Sequence, residues 1–228
     1  MIVLGLDASS DAAAVGIAAD GITRCEYTIY NGKNHSLTLL PMVETMLHEL
    51  GVDFQDIDAY ACGIGPGSFT GVRIGAATVK GFAQAWQKPV IPISSLQLLA
   101  ENIREFDGLR VSAVHARVNE LYCGAYDSKN CEVMSPSVMT VDELLNFLQG
   151  KRCKIVGNGA MVFRQQFIEA LGHQVVAEGS LVHLIRGGAV AEMGYRLAEQ
   201  GHGVLYTELS PAYLRESQAE REYKEKHK

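Results

Sequence analysis

Short apolar runs alternate with longer amphipathic stretches along the chain. In the first half, apolar runs at 2–7, 12–19 and 23–30 predict three strands, and Asp20-Gly21 predicts the tight turn between the second and the third. A helix at 35–50, a strand at 59–64, a helix at 71–86 and a strand at 90–93 follow. The predicted order is therefore β-β-β-α-β-α-β.

The second half repeats this order. Its predicted elements are strands at 110–116, 120–126 and 132–134, a helix at 142–148, a strand at 154–156, a helix at 160–171, a strand at 175–177 and a long helix at 181–199. Two tandem β-β-β-α-β-α blocks predict an α/β protein whose mixed sheets are flanked by helices. Paired ribonuclease H-like lobes, as in actin and sugar kinases, have this order. We expect lobes at 1–107 and 108–209, followed by a C-terminal segment and charged tail at 210–228.

The segment GPGSFTGVRIG at 65–75 lies between a predicted strand and a predicted helix. A glycine-rich turn at a helix N-terminus brings backbone N–H groups together, so it can bind phosphate or let backbone pack against backbone. The segment lacks the Lys-Ser/Thr of a P-loop, the spacing of a dinucleotide fingerprint and the glycines of a serine-hydrolase elbow. Both alternatives stay open for Gly65, Pro66, Gly67, Ser68, Phe69, Thr70, Gly71 and Arg73.

Composition narrows the class of protein. The 228 residues carry a net charge of −6, so the field of the whole chain does not attract nucleic acid. The five cysteines form no C-x-x-C pair, which suits buried thiols in a reducing compartment. The sequence shows no basic leader and no long apolar span, so we expect a cytoplasmic protein without a membrane segment.

Several motifs, in chain order, resemble the TsaB family, also called YeaZ, of the bacterial tRNA threonylcarbamoyladenosine system. They are LGLDASS at 4–10, His35-Ser36 followed by Leu-Leu-Pro at 39–41, the glycine-rich segment, Gly-Asn-Gly-Ala at 157–160 and SPAYLR at 210–215. The resemblance implies the actin-like ASKHA fold. It also implies a non-catalytic scaffold and activator of TsaD, a larger paralogue that carries the catalysis.

The resemblance further implies the partners. TsaD, with the small ATPase TsaE, transfers the threonylcarbamoyl group from threonylcarbamoyl-AMP to N6 of the tRNA adenosine immediately 3′ of the anticodon. A TsaB-type chain would form a heterodimer with TsaD, a homodimer when alone, and would meet tRNA only indirectly through the complex. No cofactor of its own is expected, although a nucleotide at the junction of TsaB, TsaD and TsaE stays open.

The residues themselves also argue against catalysis and against a metal. No two histidines lie four residues apart, and no HExxH motif is present. The first lobe keeps Asp7, Ser9 and Ser10, but the second has His115 where the family pattern has Asp, and imidazole cannot replace a carboxylate on Mg²⁺. We therefore expect a vestigial nucleotide cleft formed by Asp7, Ser9, Ser10, Gly157 and Gly159. As an alternative, Asp7 is only a turn-forming carboxylate.

The two helices of the first lobe are the predicted partner surface. Apolar residues cover about 160° of helix 35–50, more than one stripe against a sheet needs, and helix 71–86 is rich in small residues. Either the excess is covered inside the protein, or it meets the matching helices of TsaD. We expect Met46→Asp to prevent TsaD binding while the monomer stays folded. The predicted interface residues are Leu39, Met42, Val43, Met46, Leu50, Ala76, Ala77, Val79, Lys80 and Ala83.

Two other functions compete with the scaffold. One is an M22-type glycopeptidase, which the missing metal pair and nucleophile elbow oppose. The other is an ASKHA small-molecule kinase, which His115 opposes because it breaks the acidic pair across the cleft. Digestion of casein and hydrolysis of ATP would distinguish these from a scaffold.

Overall fold

Two mixed β-sheets flanked by helices organise residues 1–30 and 34–215, the part of the chain that this computed structural model describes. The first sheet has the order β3-β2-β1-β4-β5. Its strands are β1 (Ile2–Asp7), β2 (Ala12–Ala19), β3 (Ile22–Tyr30), β4 (Ala59–Gly63) and β5 (Val90–Ile93). β1 pairs antiparallel with β2 and parallel with β4. The predicted charged tail at 216–228 lies outside the described residues.

The second sheet has the order β8-β7-β6-β9. Its strands are β6 (Leu109–Arg117), β7 (Glu120–Tyr126), β8 (Glu132–Thr140) and β9 (Cys153–Val156). The helices of the described residues are α1 (His35–Leu50), α2 (Phe69–Trp86), α3 (Ser95–Ala100), α4 (Val141–Leu148), α5 (Asn158–Val162), α6 (Arg164–Leu171) and α7 (Gly187–Glu199). Both halves begin β-β-β-α-β, as predicted, and the predicted fold class is confirmed.

The structure differs from the sequence prediction at several elements. The predicted helix 160–171 is interrupted at Phe163, and the predicted strand 175–177 is a single bridge between Ile155 and Val176. α7 begins only at Gly187, after a short 3₁₀ turn at Leu181–His183. The pattern missed α3 because all but one of its six residues are buried, which leaves no polar face to mark its period.

α1 has recognisable ends and one buried face. The Asn34 side chain accepts a hydrogen bond from the Ser36 N–H at 3.1 Å, and Gly51 ends the helix in the left-handed conformation. The buried face lies against β2, β3 and α2, so it is wider than a stripe against a sheet alone would be. Its buried side chains are Leu39, Met42, Val43, Met46 and Leu47.

α7 lies on the first sheet although its residues follow the second. Side chains of a strand alternate between faces, and Leu4 and Leu6 join the core under α1 and α2 while Val3 joins the core under α7. Glycines allow this close contact: a Cβ on Gly16 would lie 2.3 Å from backbone atoms of Gly187. The residues 187–209, predicted in the second lobe, therefore return to the first, where Val204 bridges to Val90.

The burial of Met46 reverses our expectation for Met46→Asp. Met46 has no exposed surface, so the premise of that expectation, a methionine accessible to a partner, is wrong. A carboxylate placed there has no partner, and we expect a loss of at least about 3 kcal/mol in the free energy of unfolding. Chemical denaturation measures this loss. Thr45→Asp, on the exposed face, is the matched control and should change stability little; equal stability of the two variants would contradict the packing described for α1.

Gly187→Ala tests the contact between α7 and the first sheet. The new Cβ would lie 1.8 Å from the Val15 carbonyl oxygen, so backbone must move, and we expect a loss of about 2 kcal/mol or more. Gly81→Ala is the control, because its Cβ meets no atom within 4 Å and α2 should gain up to about 1 kcal/mol in helix propensity. Unfolding midpoints that move together in the two variants would refute the close contact.

Candidate functional site

The carboxylate at the end of β1 is fully satisfied inside the protein. Asp7 Oδ1 accepts hydrogen bonds from the Ser9 N–H at 2.9 Å and the Ser9 hydroxyl at 2.8 Å, and Oδ2 accepts one from the Ser95 hydroxyl at 2.7 Å. Burial raises the pKa of the Asp7 carboxyl, while the bonds from Ser95 and Ser9 oppose that rise. Asp7 thus ties the β1–β2 turn to the start of α3, as expected of a turn-forming carboxylate.

The glycine-rich segment packs against this turn through its backbone. A Cβ on Gly67 would lie 2.1 Å from the Ser9 carbonyl oxygen, and one on Gly71 would lie 1.9 Å from that of Ala8. The Ser68 N–H donates to the Ser9 carbonyl at 2.6 Å, and the Ser68 hydroxyl accepts from the Gly71 N–H at 3.2 Å. Because protein carbonyls lie against the N-terminus of α2, where a phosphate would have to bind, the geometry favours the packing alternative.

The segment 210–215 covers the other side of the glycine-rich segment. The Ala212 N–H donates to the Ile64 carbonyl at 2.8 Å. The Tyr213 ring stacks on Phe69 with centroids 4.4 Å apart, and Arg73 donates to the Tyr213 hydroxyl at 2.8 Å. Arg215 forms an ion pair with Glu120 of β7, so this segment connects the two sheets. Arg73 is therefore engaged in packing; Thr70 is exposed beside it.

A cleft of about 270 Å³ lies between the two sheets. Ser9 and Ser10 line it from the first lobe and Asn158 from the second, while Asp11 is its one charged lining residue in the described part of the chain. His115 is exposed near the cleft. The backbone N–H of His115 donates to Asn158 Oδ1 at 2.9 Å. Of the five predicted nucleotide residues, only Ser9 and Ser10 line this cleft, and its described lining residues include no Lys or Arg for phosphates and no pair of carboxylates for Mg²⁺.

Gly157 and Gly159 serve packing beside this cleft. A Cβ on either would lie within 3 Å of the Ala113 carbonyl oxygen, so both let α5 approach β6. The Gly157 N–H also donates to Nδ1 of the buried His183 at 3.1 Å, and His183 Nε2 donates to the Ala177 carbonyl at 3.1 Å. Burial lowers the pKa of the His183 imidazole. No sequence signal distinguishes this histidine from the other six.

Most predicted interface residues belong to the core of the isolated chain. Their burial corrects the prediction that Met42 and Met46 lie on the surface, and the physical reason is the additional contact of α1 with β3 and α2. Leu50 and Lys80 are half-buried, and Ala77 is exposed. The fully buried ones are Leu39, Met42, Val43, Met46, Ala76, Val79 and Ala83.

Other residues form the exposed faces of α1 and α2. Leu37 is 74% exposed and Leu40 is 44% exposed. Ala77 and Gly81 are exposed on α2, and a Cβ on Gly81 would meet open space. Beside Leu37, a shallow groove of about 430 Å³ runs between β3 and α1. Sequence periodicity alone could not tell these residues from those facing the sheet.

Within residues 1–30 and 34–215, no helix combines the length and the apolar character needed to cross a bilayer. The same residues contain no group of three or more His, Cys, Asp or Glu side chains placed to bind a metal ion.

Known proteins are similar to this chain in sequence and in structure. Residues 29–223 match the profile of the family described as "TsaD: tRNA N6-adenosine threonylcarbamoyltransferase". The chain is 30% identical to the tRNA threonylcarbamoyladenosine biosynthesis protein TsaB of Bacillus subtilis over the full length of both. Against TsaB of Haemophilus influenzae it is 30% identical over 94% of each chain.

The structural comparison agrees with the sequence comparison. YeaZ from Pseudomonas aeruginosa superimposes with a TM-score of 0.76 at 29% identity, covering 93% of this chain and 99% of that one. The resemblance first seen in the motifs is confirmed. This chain belongs to the TsaB (YeaZ) family and takes part in tRNA threonylcarbamoyladenosine biosynthesis.

Proposed function

We propose that the chain is a non-catalytic scaffold and activator that binds a TsaD-type transferase in the cytoplasm. With TsaE, the complex would transfer the threonylcarbamoyl group from threonylcarbamoyl-AMP to N6 of the tRNA adenosine 3′-adjacent to the anticodon. One observation carries this proposal: apolar residues of α1 are exposed beside a face of small residues on α2. Such faces permit close packing of a second pair of helices.

The contacts of the cleft support the non-catalytic part of the proposal. The Asp7 carboxylate is buried and hydrogen-bonded to Ser9 and Ser95, so it is not available to coordinate Mg²⁺. Carbonyl groups of the β1–β2 turn lie against the N-terminus of α2. These contacts all lie within the first lobe, and a nucleotide, where one binds, would have to draw its charged ligands from the TsaD or TsaE side.

The exposed faces of α1 and α2 support the docking part of the proposal. We call Leu37, Leu40, Pro41, Ala77 and Gly81 the docking surface; all five are exposed. A stable contact needs roughly 800 Å² on each side, so neighbouring residues of both helices would also be covered. In the absence of TsaD, the same surface would pair with a second copy about a two-fold axis.

Leu37→Asp tests the docking surface. Leu37 lies in the first turn of α1, where a carboxylate is compatible with the helix dipole, so the fold should survive. We expect the affinity for TsaD to fall at least about tenfold, because a charge would be buried in an apolar contact. Calorimetric titration with TsaD measures the affinity, and circular dichroism checks the fold.

Leu205→Asp is the matched control for Leu37→Asp. Leu205 is 66% exposed, and its neighbour Val204 bridges to β5, at the edge of the sheet opposite β3. This variant should bind TsaD as the unchanged chain does. If both variants bind equally well, α1 does not carry the contact.

Hydrolysis assays distinguish a scaffold from the two competing functions. The purified chain with Mg-ATP should hydrolyse ATP no faster than the background, and it should leave casein intact. The complex assembled with TsaE serves as the positive control for ATP hydrolysis. Turnover by the chain alone that is abolished by Asp7→Asn would favour the kinase; casein cleavage would favour the peptidase.

A further inference from the structure

A groove of about 560 Å³ opens at the far edge of the second sheet. It lies between the turn from α4 to β9, the C-terminal end of α6 and the side chain of Phe106. Lys151, Arg152, Lys154 and His173 line it, and none of its lining residues in the described part of the chain is Asp or Glu. In a chain of net charge −6, this is a locally positive surface. We call it the basic groove.

Two cations of the basic groove lie beside an aromatic ring. The Arg152 guanidinium and the Lys154 ammonium both lie 5.5 Å from the centroid of the Phe106 ring. Arg152 also pairs with Asp107 at 3.6 Å, but both side chains are largely exposed, so water and salt weaken that pair. Arg152 and Lys154 thus keep most of their charge available to a partner.

Lys151 has a structural role that the other two cations lack. Its ammonium donates to the Phe147 carbonyl at the end of α4 and lies 4.2 Å from the centroid of the Phe147 ring. Gly150 and Gly172 form the adjoining turns, and a Cβ on either would meet no atom within 4 Å, so the groove is open at both turns. Arg152 and Lys154 are therefore the two cations that can be neutralised without removing a helix contact.

The chemistry of the groove fits a nucleic-acid backbone. It is open, lies at the start of the edge strand β9 and presents two cations beside an aromatic ring, features with which proteins contact phosphates and unpaired bases. A site for one small anion would instead enclose buried donors. The groove belongs to the second lobe, whereas the docking surface lies on the helices of the first, so both can be occupied together.

We propose that the basic groove contacts the phosphate backbone of the tRNA substrate while the chain is docked on its transferase. This inference rests on the proposed function. It replaces the expectation that the chain meets tRNA only indirectly. Two or three phosphate contacts add modest affinity, so the transferase would still provide most of the tRNA binding.

The test neutralises Arg152 and Lys154 in the reconstituted complex of this chain, TsaD and TsaE. Arg152→Gln with Lys154→Gln should raise the KM for tRNA about threefold to tenfold and leave kcat unchanged, since these groups lie away from the reacting atoms. The slope of log affinity against log salt, measured by filter binding of tRNA to the heterodimer, should become shallower by about 2. The matched control is Arg24→Gln with Lys129→Gln, which removes two exposed cations elsewhere.

The outcomes separate this inference from the proposed function. An unchanged KM and salt slope in the groove variant, while the unchanged chain fully activates the transferase, would overturn the groove contact alone. Weaker TsaD binding by the groove variant would also overturn it, because the groove would then be a protein contact. If the unchanged chain binds TsaD but gives no activation, the activator role fails, and filter binding by the heterodimer still decides the role of the groove.

Discussion

Contact between backbones around the end of β1 is the constraint on which the rest of the structure depends. The β1–β2 turn is enclosed by the glycine-rich segment, where side chains at Gly67 and Gly71 would collide with the carbonyls of Ser9 and Ala8. On the opposite face of the sheet, Gly16 and Gly187 bring α7 equally close. Because close-packed interiors do not yield by the ångström that a methyl group needs, these positions fix both helices relative to the sheet. The same glycine positions therefore also determine where the docking surface and the interlobe cleft lie.

The same contacts engage the polar groups that phosphate chemistry beside the cleft would need. In an ATP-hydrolysing protein, an acidic residue and free N–H groups would face the phosphates. Here Asp7 holds Ser9 and Ser95, and the carbonyls of the turn lie against the start of α2. An apolar cluster that includes Ile93 of the first sheet, Val156 of the second and Val190 of α7 joins the lobes. The polar groups at the end of β1 are thus engaged within the first lobe, which supports the proposal that a partner carries the catalysis.

The sequence predicted the order of the helices and strands better than it predicted which of their faces are buried and against what. Apolar periodicity located nearly every strand and long helix, because period and length are local properties. It failed for α3, where all but one residue is buried. It also failed for the position of α7 on the first sheet, which depends on glycines about 170 residues apart in the chain. It also placed Met42 and Met46 on the surface, because an apolar arc does not reveal how many neighbours a helix has. The resemblance to a family supplied what periodicity could not, namely the system in which the chain works.

Net charge describes a local surface poorly, because it averages over distances that salt screens. At physiological ionic strength, charges interact over about 8 Å, so a partner at the basic groove responds to Arg152 and Lys154 rather than to carboxylates on the opposite lobe. The contacts between the two lobes orient the basic groove relative to the docking surface. Because α7 and the segment 210–215 hold the lobes together, the basic groove would have one orientation relative to a transferase bound to α1 and α2. A scaffold of this kind would position a cationic surface for tRNA without contributing any reacting group.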